Sequence, residues 1–101
     1  MEDEINARRG EGMGELRELP NIGTTLEIRL KRVGIATAED LIAVGSKEAW
    51  SKIKAIDSTA CLNTLYALEG AIHGVKWPDL SQGVMNNLKD FYKSKIVLIF
   101  N

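Results

Sequence analysis

The sequence is poor in the residues that build cross-links, metal sites and membrane spans. Its 101 residues include one cysteine, one histidine and two prolines. A single cysteine cannot form an internal disulfide, so the fold does not depend on an oxidising compartment. One cysteine with one histidine does not make a transition-metal site, and we expect neither a metal nor a cofactor. No apolar run approaches about 18 residues, so the sequence predicts no membrane-spanning helix.

An excess of basic side chains is also missing, since the formal net charge is −1. Strong non-specific DNA-binding domains usually carry such an excess, so any contact with nucleic acid must be local. Residues 1–20 hold six of the 14 acidic side chains and three of the 13 basic ones, which leaves 21–101 mildly basic. The acidic start, Met1–Glu4, differs from the basic start of a secretory signal, and we expect a cytoplasmic protein of bacterial type.

The signals that are present are those of helices. Leu26, Leu30 and Val33 recur on one helical face. Thr37 followed by Asp40 has the spacing of a capping box at a helix start. Asp57 or Ser58 is expected to cap the longest helix, which ends at Gly74. We predict an all-α fold, a compact bundle of about five helices.

Three divisions of the chain follow from the same patterns. We expect residues 1–13 to form a flexible tail, because they are charged and contain Gly10 and Gly12. Residues 14–95 form the helical domain, in which Ser46 caps the helix that follows Gly45 and Asp79 or Ser81 caps the last helix. Residues 96–101 form an apolar C-terminal tail.

This C-terminal tail departs from the helical pattern. Ile96–Phe100 is a run of apolar, β-branched residues, typical of a strand. It docks on its own core as a tail or short strand, or it pairs with a second copy and gives a homodimer.

The most informative segment is the hairpin, residues 19–23 (Leu-Pro-Asn-Ile-Gly), which joins a short helix to the next one. It resembles the helix–hairpin–helix motif, which in other proteins lies against a nucleic-acid backbone. Gly23 permits close approach of a phosphate, and the first amides of the following helix have no helical partner and attract anions. The predicted nucleic-acid-binding residues are Asn21, Ile22, Gly23, Thr24, Thr25, Arg29, Lys31 and Arg32.

A longer segment adds a second resemblance. Cys61–Gly74, followed by Trp77, is similar to the C-terminal domain of the TfoX (Sxy) family, and the hairpin with Gly34 and Trp50 fits the same pattern. The resemblance covers about residues 15–93. It implies an all-helical domain, a link to the regulation of DNA transformation (competence), and no catalytic residues. Proteins of this family usually carry a further domain before this one.

Two functional hypotheses result. The first is a non-enzymatic regulatory module that contacts DNA, through backbone contacts, or a DNA-bound assembly by means of the hairpin. The second is a protein-interaction adaptor, with a transcription-regulatory protein or a second copy as its partner; Thr24 and Thr25, standing where strong DNA-binding hairpins have Lys or Arg, favour it. An enzyme is not expected. In particular, we expect Cys61 to be a small packing residue on the apolar face of a helix rather than a nucleophile.

Overall fold

The computed structural model describes the backbone of residues 15–100 and the side chains of residues 15–96. This part of the chain contains five α-helices and two one-turn 3-10 helices, and it contains no strand. The elements are α1 (Thr24–Arg32), α2 (Ala38–Val44), α3 (Ser46–Ile56), α4 (Leu62–His73) and α5 (Gln82–Phe100), with 3-10 helices at Leu16–Glu18 and Trp77–Asp79. The predicted all-α bundle is confirmed. The predicted tail, 1–13, lies outside the described residues.

The central helix of the bundle is α4. It packs against α2, α3, α5 and the 3-10 helix Trp77–Asp79. Leu65 and Leu68 of α4, which are three residues apart in the sequence and therefore share one helical face, are fully buried. Helix α1 packs on α3 and on the first 3-10 helix, so the hairpin lies between the N-terminal turn and the central helix.

Local signals explain several helix ends. The predicted capping box is present at α2: Thr37 Oγ1 accepts from the amide of Asp40 at 3.1 Å, and the Asp40 carboxylate accepts from the amide of Thr37 at 3.3 Å. Only Gly45 separates α2 from α3, and its φ of +90° reverses the chain in a single residue. At α5, Ser81 is the cap, because its Oγ accepts from the amide of Val84 at 3.2 Å.

Two predicted caps are wrong. Helix α3 begins at Ser46 itself, and the Ser46 hydroxyl, in a residue 5% exposed, donates instead to Glu69 of α4 at 2.5 Å. Helix α4 begins after Cys61, not after Asp57 or Ser58, because the Asp57 carboxylate accepts the amide and hydroxyl of Thr59 in a preceding turn. The Ser46 hydroxyl and the Asp57 carboxylate thus form hydrogen bonds with groups other than the amides of the predicted helix starts.

The C-terminal run is also different from the prediction. Residues 96–100 continue α5 as a helix and form neither a separate tail nor a strand. Between Ser81 and Phe100 the chain has no proline, and its only glycine, Gly83, lies in the first turn. Extending a helix that already exists costs far less than starting new structure, and this outweighs the β preference of the run.

None of the helices in the described part of the chain combines the length and apolar character needed to cross a membrane.

Candidate nucleic-acid interface

The hairpin is held from within by Asn21. Its side-chain amide donates to the carbonyls of Ala67 at 3.3 Å and Val75 at 2.9 Å, and its side-chain oxygen accepts from the amide of Trp77 at 3.2 Å. Its φ of +71° is a conformation that asparagine tolerates better than most residues. Asn21 therefore fastens the hairpin to the middle of α4 and to the turn after it.

Ile22, the next predicted contact residue, is also directed inward. It is 6% exposed and belongs to the hydrophobic core. Asn21 and Ile22 thus use their side chains to position the hairpin. Contact with a ligand through this part of the chain falls to the exposed residues Gly23, Thr24 and Thr25.

These three residues present backbone amides at the start of α1. Gly23 is the N-cap, and no side chain caps the helix. The first helical hydrogen bond is donated by Glu27 to the carbonyl of Gly23 at 3.0 Å. Among the described residues the amides of Gly23, Thr24 and Thr25 have no acceptor. Unpaired amides and the positive end of the helix dipole together favour an anion here.

The same residues form one wall of a cleft of about 580 Å³, called here the hairpin cleft. Its other walls come from α3, from the turn between α3 and α4, and from the first turns of α4. The lining consists of Asn21, Gly23, Thr24, Thr25, Leu26, Arg29, Ile53, Asp57, Thr59, Ala60, Asn63, Thr64 and Ala67. Five of the eight predicted contact residues are therefore together in one cleft.

The three predicted basic residues differ in whether they already form ion pairs within the chain. Arg29 Nε is 2.5 Å from a carboxylate oxygen of Asp57, and Lys31 Nζ is 3.3 Å from one of Glu27. Arg32 is exposed and has no ion pair among the described residues; it borders a smaller hollow of about 300 Å³ beside Ile28 and Ile56. Two of the three predicted cations are thus already neutralised by carboxylates.

Asp57 is the acidic side chain in the lining of the hairpin cleft. Hydrogen bonds from the hydroxyl and then the amide of Thr59 hold the pKa of Asp57 below its usual value of 3.8. Burial raises this pKa by less than those bonds lower it, and the positive charges of Arg29 and Lys54 lower it further. The carboxylate therefore stays ionised at all but acidic pH, and Arg29 stays paired with it.

This pKa shift predicts a pH dependence of stability. A carboxylate with a lowered pKa in the folded state stabilises the fold above its unfolded pKa, near 3.9, and this contribution is lost as the pH falls through the folded pKa. We expect the free energy of unfolding, measured with urea, to fall more between about pH 5 and about pH 3 in the wild type than in Asp57→Asn.

The matched control is Asp90→Asn, at an exposed position on α5. It should retain the pH slope of the wild type. Equal slopes for the wild type and Asp57→Asn would show that the Asp57 carboxylate adds no stability.

The sequence predicted only the hairpin side of the cleft. Thr59, Asn63 and Thr64, on the opposite wall, lie more than 30 residues away along the chain. The closest signal is Asp57 followed by Thr59, a pair typical of a local turn, which places neither residue near the hairpin.

Cys61 also lies elsewhere than predicted. It is exposed at the N-cap of α4, not buried on an apolar face, with its Sγ 3.7 Å from Thr64 Oγ1. Burial raises the pKa of its thiol, but hydrogen bonds from the amide and hydroxyl of Thr64 and from neighbouring amides lower it more, and the net shift is downward. Within the range that the structure describes, no three His, Cys, Asp or Glu side chains meet as a metal site.

Comparison with known proteins agrees with this fold. Protein Sxy of Escherichia coli (strain K12) is 37% identical over 60 residues, which are 59% of this chain and 29% of Sxy. The chain thus spans less than a third of that relative.

Two crystal forms from Listeria monocytogenes have similar structures. An uncharacterized protein in a triclinic form is 47% identical with a TM-score of 0.79, over 80% of this chain and 92% of that one. A protein of unknown function in a tetragonal form is 48% identical with a TM-score of 0.78, over 79% and 98%. The TfoX C-terminal domain matches residues 13–92, which include every described helix except the end of α5. This chain belongs to the TfoX C-terminal domain family.

Proposed function

We propose that this chain is a non-enzymatic regulatory module related to DNA transformation, and that it contacts nucleic acid, or an assembly bound to DNA, through the hairpin. Membership of the TfoX C-terminal domain family supports the regulatory role. The observation that carries the contact is the set of exposed, unpaired amides at Gly23, Thr24 and Thr25. The side chains of Asn21 and Ile22 hold them in place.

The physical basis of the contact is recognition of a phosphate. Amides at a helix start point at an anion, and the helix dipole adds partial positive charge. The exposed side chains of Thr24 and Thr25 add hydroxyl donors, and Arg32 supplies a charge on the same helix. Contacts of this kind position the protein on the nucleic acid without reading its sequence.

A non-enzymatic role agrees with the arrangement of the polar side chains. The described residues contain a chain of serine, acid and histidine: Ser46 Oγ donates to Glu69, and His73 Nε2 lies 2.7 Å from the other oxygen of Glu69. Glu69 separates the other two residues, so His73 is not placed to take a proton from Ser46. This network joins α3 to α4.

The test is binding of the purified protein to labelled duplex and single-stranded DNA, followed by fluorescence anisotropy over a salt series. We expect binding that weakens with salt, with a slope of log K against log salt no steeper than about −2, because few phosphates are contacted. The variant Thr24→Glu/Thr25→Glu places two carboxylates at the anion site, and it should abolish binding while the circular dichroism spectrum remains helical.

The matched control is Ala43→Glu/Asn86→Glu, which adds the same two charges at exposed positions on α2 and α5. It should reduce affinity by less than about threefold, because two exposed distant charges are largely screened. Equal losses in both double variants would show that net charge, and not the hairpin, governs binding.

The second candidate function is a protein-interaction adaptor. Three large apolar side chains are half-exposed on different helices: Ile28 at 51%, Ile42 at 55% and Ile56 at 49%. Ile28 and Ile56 border the same hollow as Arg32, and pairing of Arg29 and Lys31 within the chain also suits a partner other than DNA. Absence of DNA binding at low salt would favour this function, with a transcription-regulatory protein or a second copy as the partner.

A further inference from the structure

The interior of the hairpin cleft differs in character from its rim. The floor is apolar and consists of Leu26, Ile53, Ala60 and Ala67, whereas hydroxyl and amide side chains of Thr59, Asn63 and Thr64 stand on the wall opposite the hairpin. Its volume of about 580 Å³ lies within the range of about 300–1,000 Å³ that is typical of small-ligand pockets. An apolar floor bordered by uncharged hydroxyl and amide groups suits a ligand group that is polar and uncharged.

The charges inside the cleft point to the same kind of occupant. Arg29 and Asp57, the cationic and anionic side chains in the lining, are paired with each other at 2.5 Å. The cleft therefore has no net charge to offer to a second phosphate. The exposed Asn63 has no side-chain hydrogen bond among the described residues, and its amide offers the adjacent donor and acceptor that pair with a base edge.

From these observations we propose that the hairpin cleft binds an unpaired nucleobase, and that this chain prefers single-stranded nucleic acid to duplex. The inference rests on the proposed function, because Gly23, Thr24 and Thr25 both line the cleft and present the amides that hold the phosphate. A phosphate on those amides places the base of an adjoining nucleotide at the cleft. Bases within a duplex are paired and stacked, so only an unpaired base can enter.

The experiment compares three labelled DNA probes of equal strand length: a single strand, the same strand with abasic sites in place of its bases, and a duplex. Anisotropy at low salt should show the base-bearing strand binding at least about fivefold more tightly than the abasic strand, the lower end of what one good contact between a side-chain amide and a base edge contributes. It should also bind more tightly than the duplex. Equal binding of the abasic and base-bearing strands, or tighter binding of the duplex, would overturn the inference.

A substitution in the cleft provides a second measurement. Asn63→Ala should reduce the ratio between base-bearing and abasic strands by about half or more and leave binding of the abasic strand unchanged, since the phosphate contact remains. The control Asn86→Ala, exposed on α5, should leave the ratio as in the wild type. An unchanged ratio in Asn63→Ala would count against a base in the cleft.

The outcomes separate the two proposals. If the abasic strand binds as well as the intact strand and Thr24→Glu/Thr25→Glu abolishes both, the hairpin contact stands and the base site is rejected. If no probe binds at low salt, the hairpin contact fails and the base site fails with it.

Discussion

Replacing Trp50 with alanine should lower the free energy of unfolding by about 3–5 kcal/mol. Trp50 lies on α3, is 1% exposed, and is the largest fully buried side chain of the core. Its ring meets the edges of Phe91 and Tyr92 of α5, with centroid separations of 6.0 and 5.7 Å. Its Nε1 donates to the carbonyl of Cys61 at 3.1 Å, just before α4 begins. One side chain thus joins three helices.

The size of the loss follows from two effects. Alanine leaves a large cavity between α3 and α5 that the surrounding helices fill only in part. It also removes the hydrogen bond from Nε1 to the carbonyl of Cys61, which keeps only the amides of Thr64 and Leu65 as donors. For a domain at the lower end of the usual range, about 5 kcal/mol, this loss removes most of the stability.

Urea unfolding monitored by circular dichroism measures this loss, with Trp50→Phe as the comparison. Phenylalanine retains a ring but removes the N–H donor and some volume, so its cost should be smaller, about 1–3 kcal/mol. A loss below about 1.5 kcal/mol in Trp50→Ala would mean that the contacts with Phe91 and Tyr92 contribute little.

The parts of the fold that the sequence predicted depend on short-range interactions. The capping box from Thr37 to Asp40 spans four residues, and Leu65 and Leu68 share a face of one helix, so both signals are visible locally. The cap of α4 could not be chosen in this way. Asp57, Ser58 and Cys61 lie close together, and the choice depends on the Thr59 turn that occupies the Asp57 carboxylate.

In the C-terminal run, the local preference of the residues predicts the wrong structure. Intrinsic preference alone predicts a strand for Ile96–Phe100, but the conformation of a short segment also depends on what precedes it. Phe91 and Tyr92 anchor the preceding turns of α5 against Trp50, and residues 96–100 continue that helix. The preference of five residues does not outweigh the continuation of an established helix.

One part of the candidate site is visible in the local sequence, and the other part depends on tertiary packing. The hairpin and its exposed threonines follow from residues 19–25, which are contiguous. The facing wall and the pairing of Arg29 with Asp57 depend on tertiary packing between α1 and the end of α3. The sequence likewise placed Asn21 among the contact residues but did not indicate that its side chain bonds Val75, 54 residues away. No local pattern contains that information.

Replacing Gly70 with alanine should destabilise the protein by about 3 kcal/mol. In most helix interiors this substitution stabilises by about 1 kcal/mol, so the predicted sign is reversed. A methyl group on Gly70 would lie 2.6 Å from Asn21 Nδ2, 2.7 Å from the carbonyl oxygen of Val75 and 3.1 Å from Cα of Trp77. Two of these three atoms belong to the backbone and cannot rotate away. The hairpin and the turn after α4 must therefore move away from Gly70.

The matched control is Gly83→Ala in α5, where an added methyl group has no neighbour within 4 Å. Urea unfolding should show this variant to be as stable as the wild type or more stable by up to about 1 kcal/mol. If Gly70→Ala behaved like Gly83→Ala, the contact between α4 and the hairpin would be looser than these distances indicate.

A double-mutant cycle with Asn21→Ala locates the cause of the loss. Asn21→Ala removes three hydrogen bonds and should itself cost about 2–3 kcal/mol. It also removes the nearest atom that the new methyl group meets. The double variant Asn21→Ala/Gly70→Ala should therefore lose at least about 1 kcal/mol less than the sum of the two single variants. Because the Asn21 side chain positions the hairpin, both single variants should also weaken DNA binding in their folded fraction.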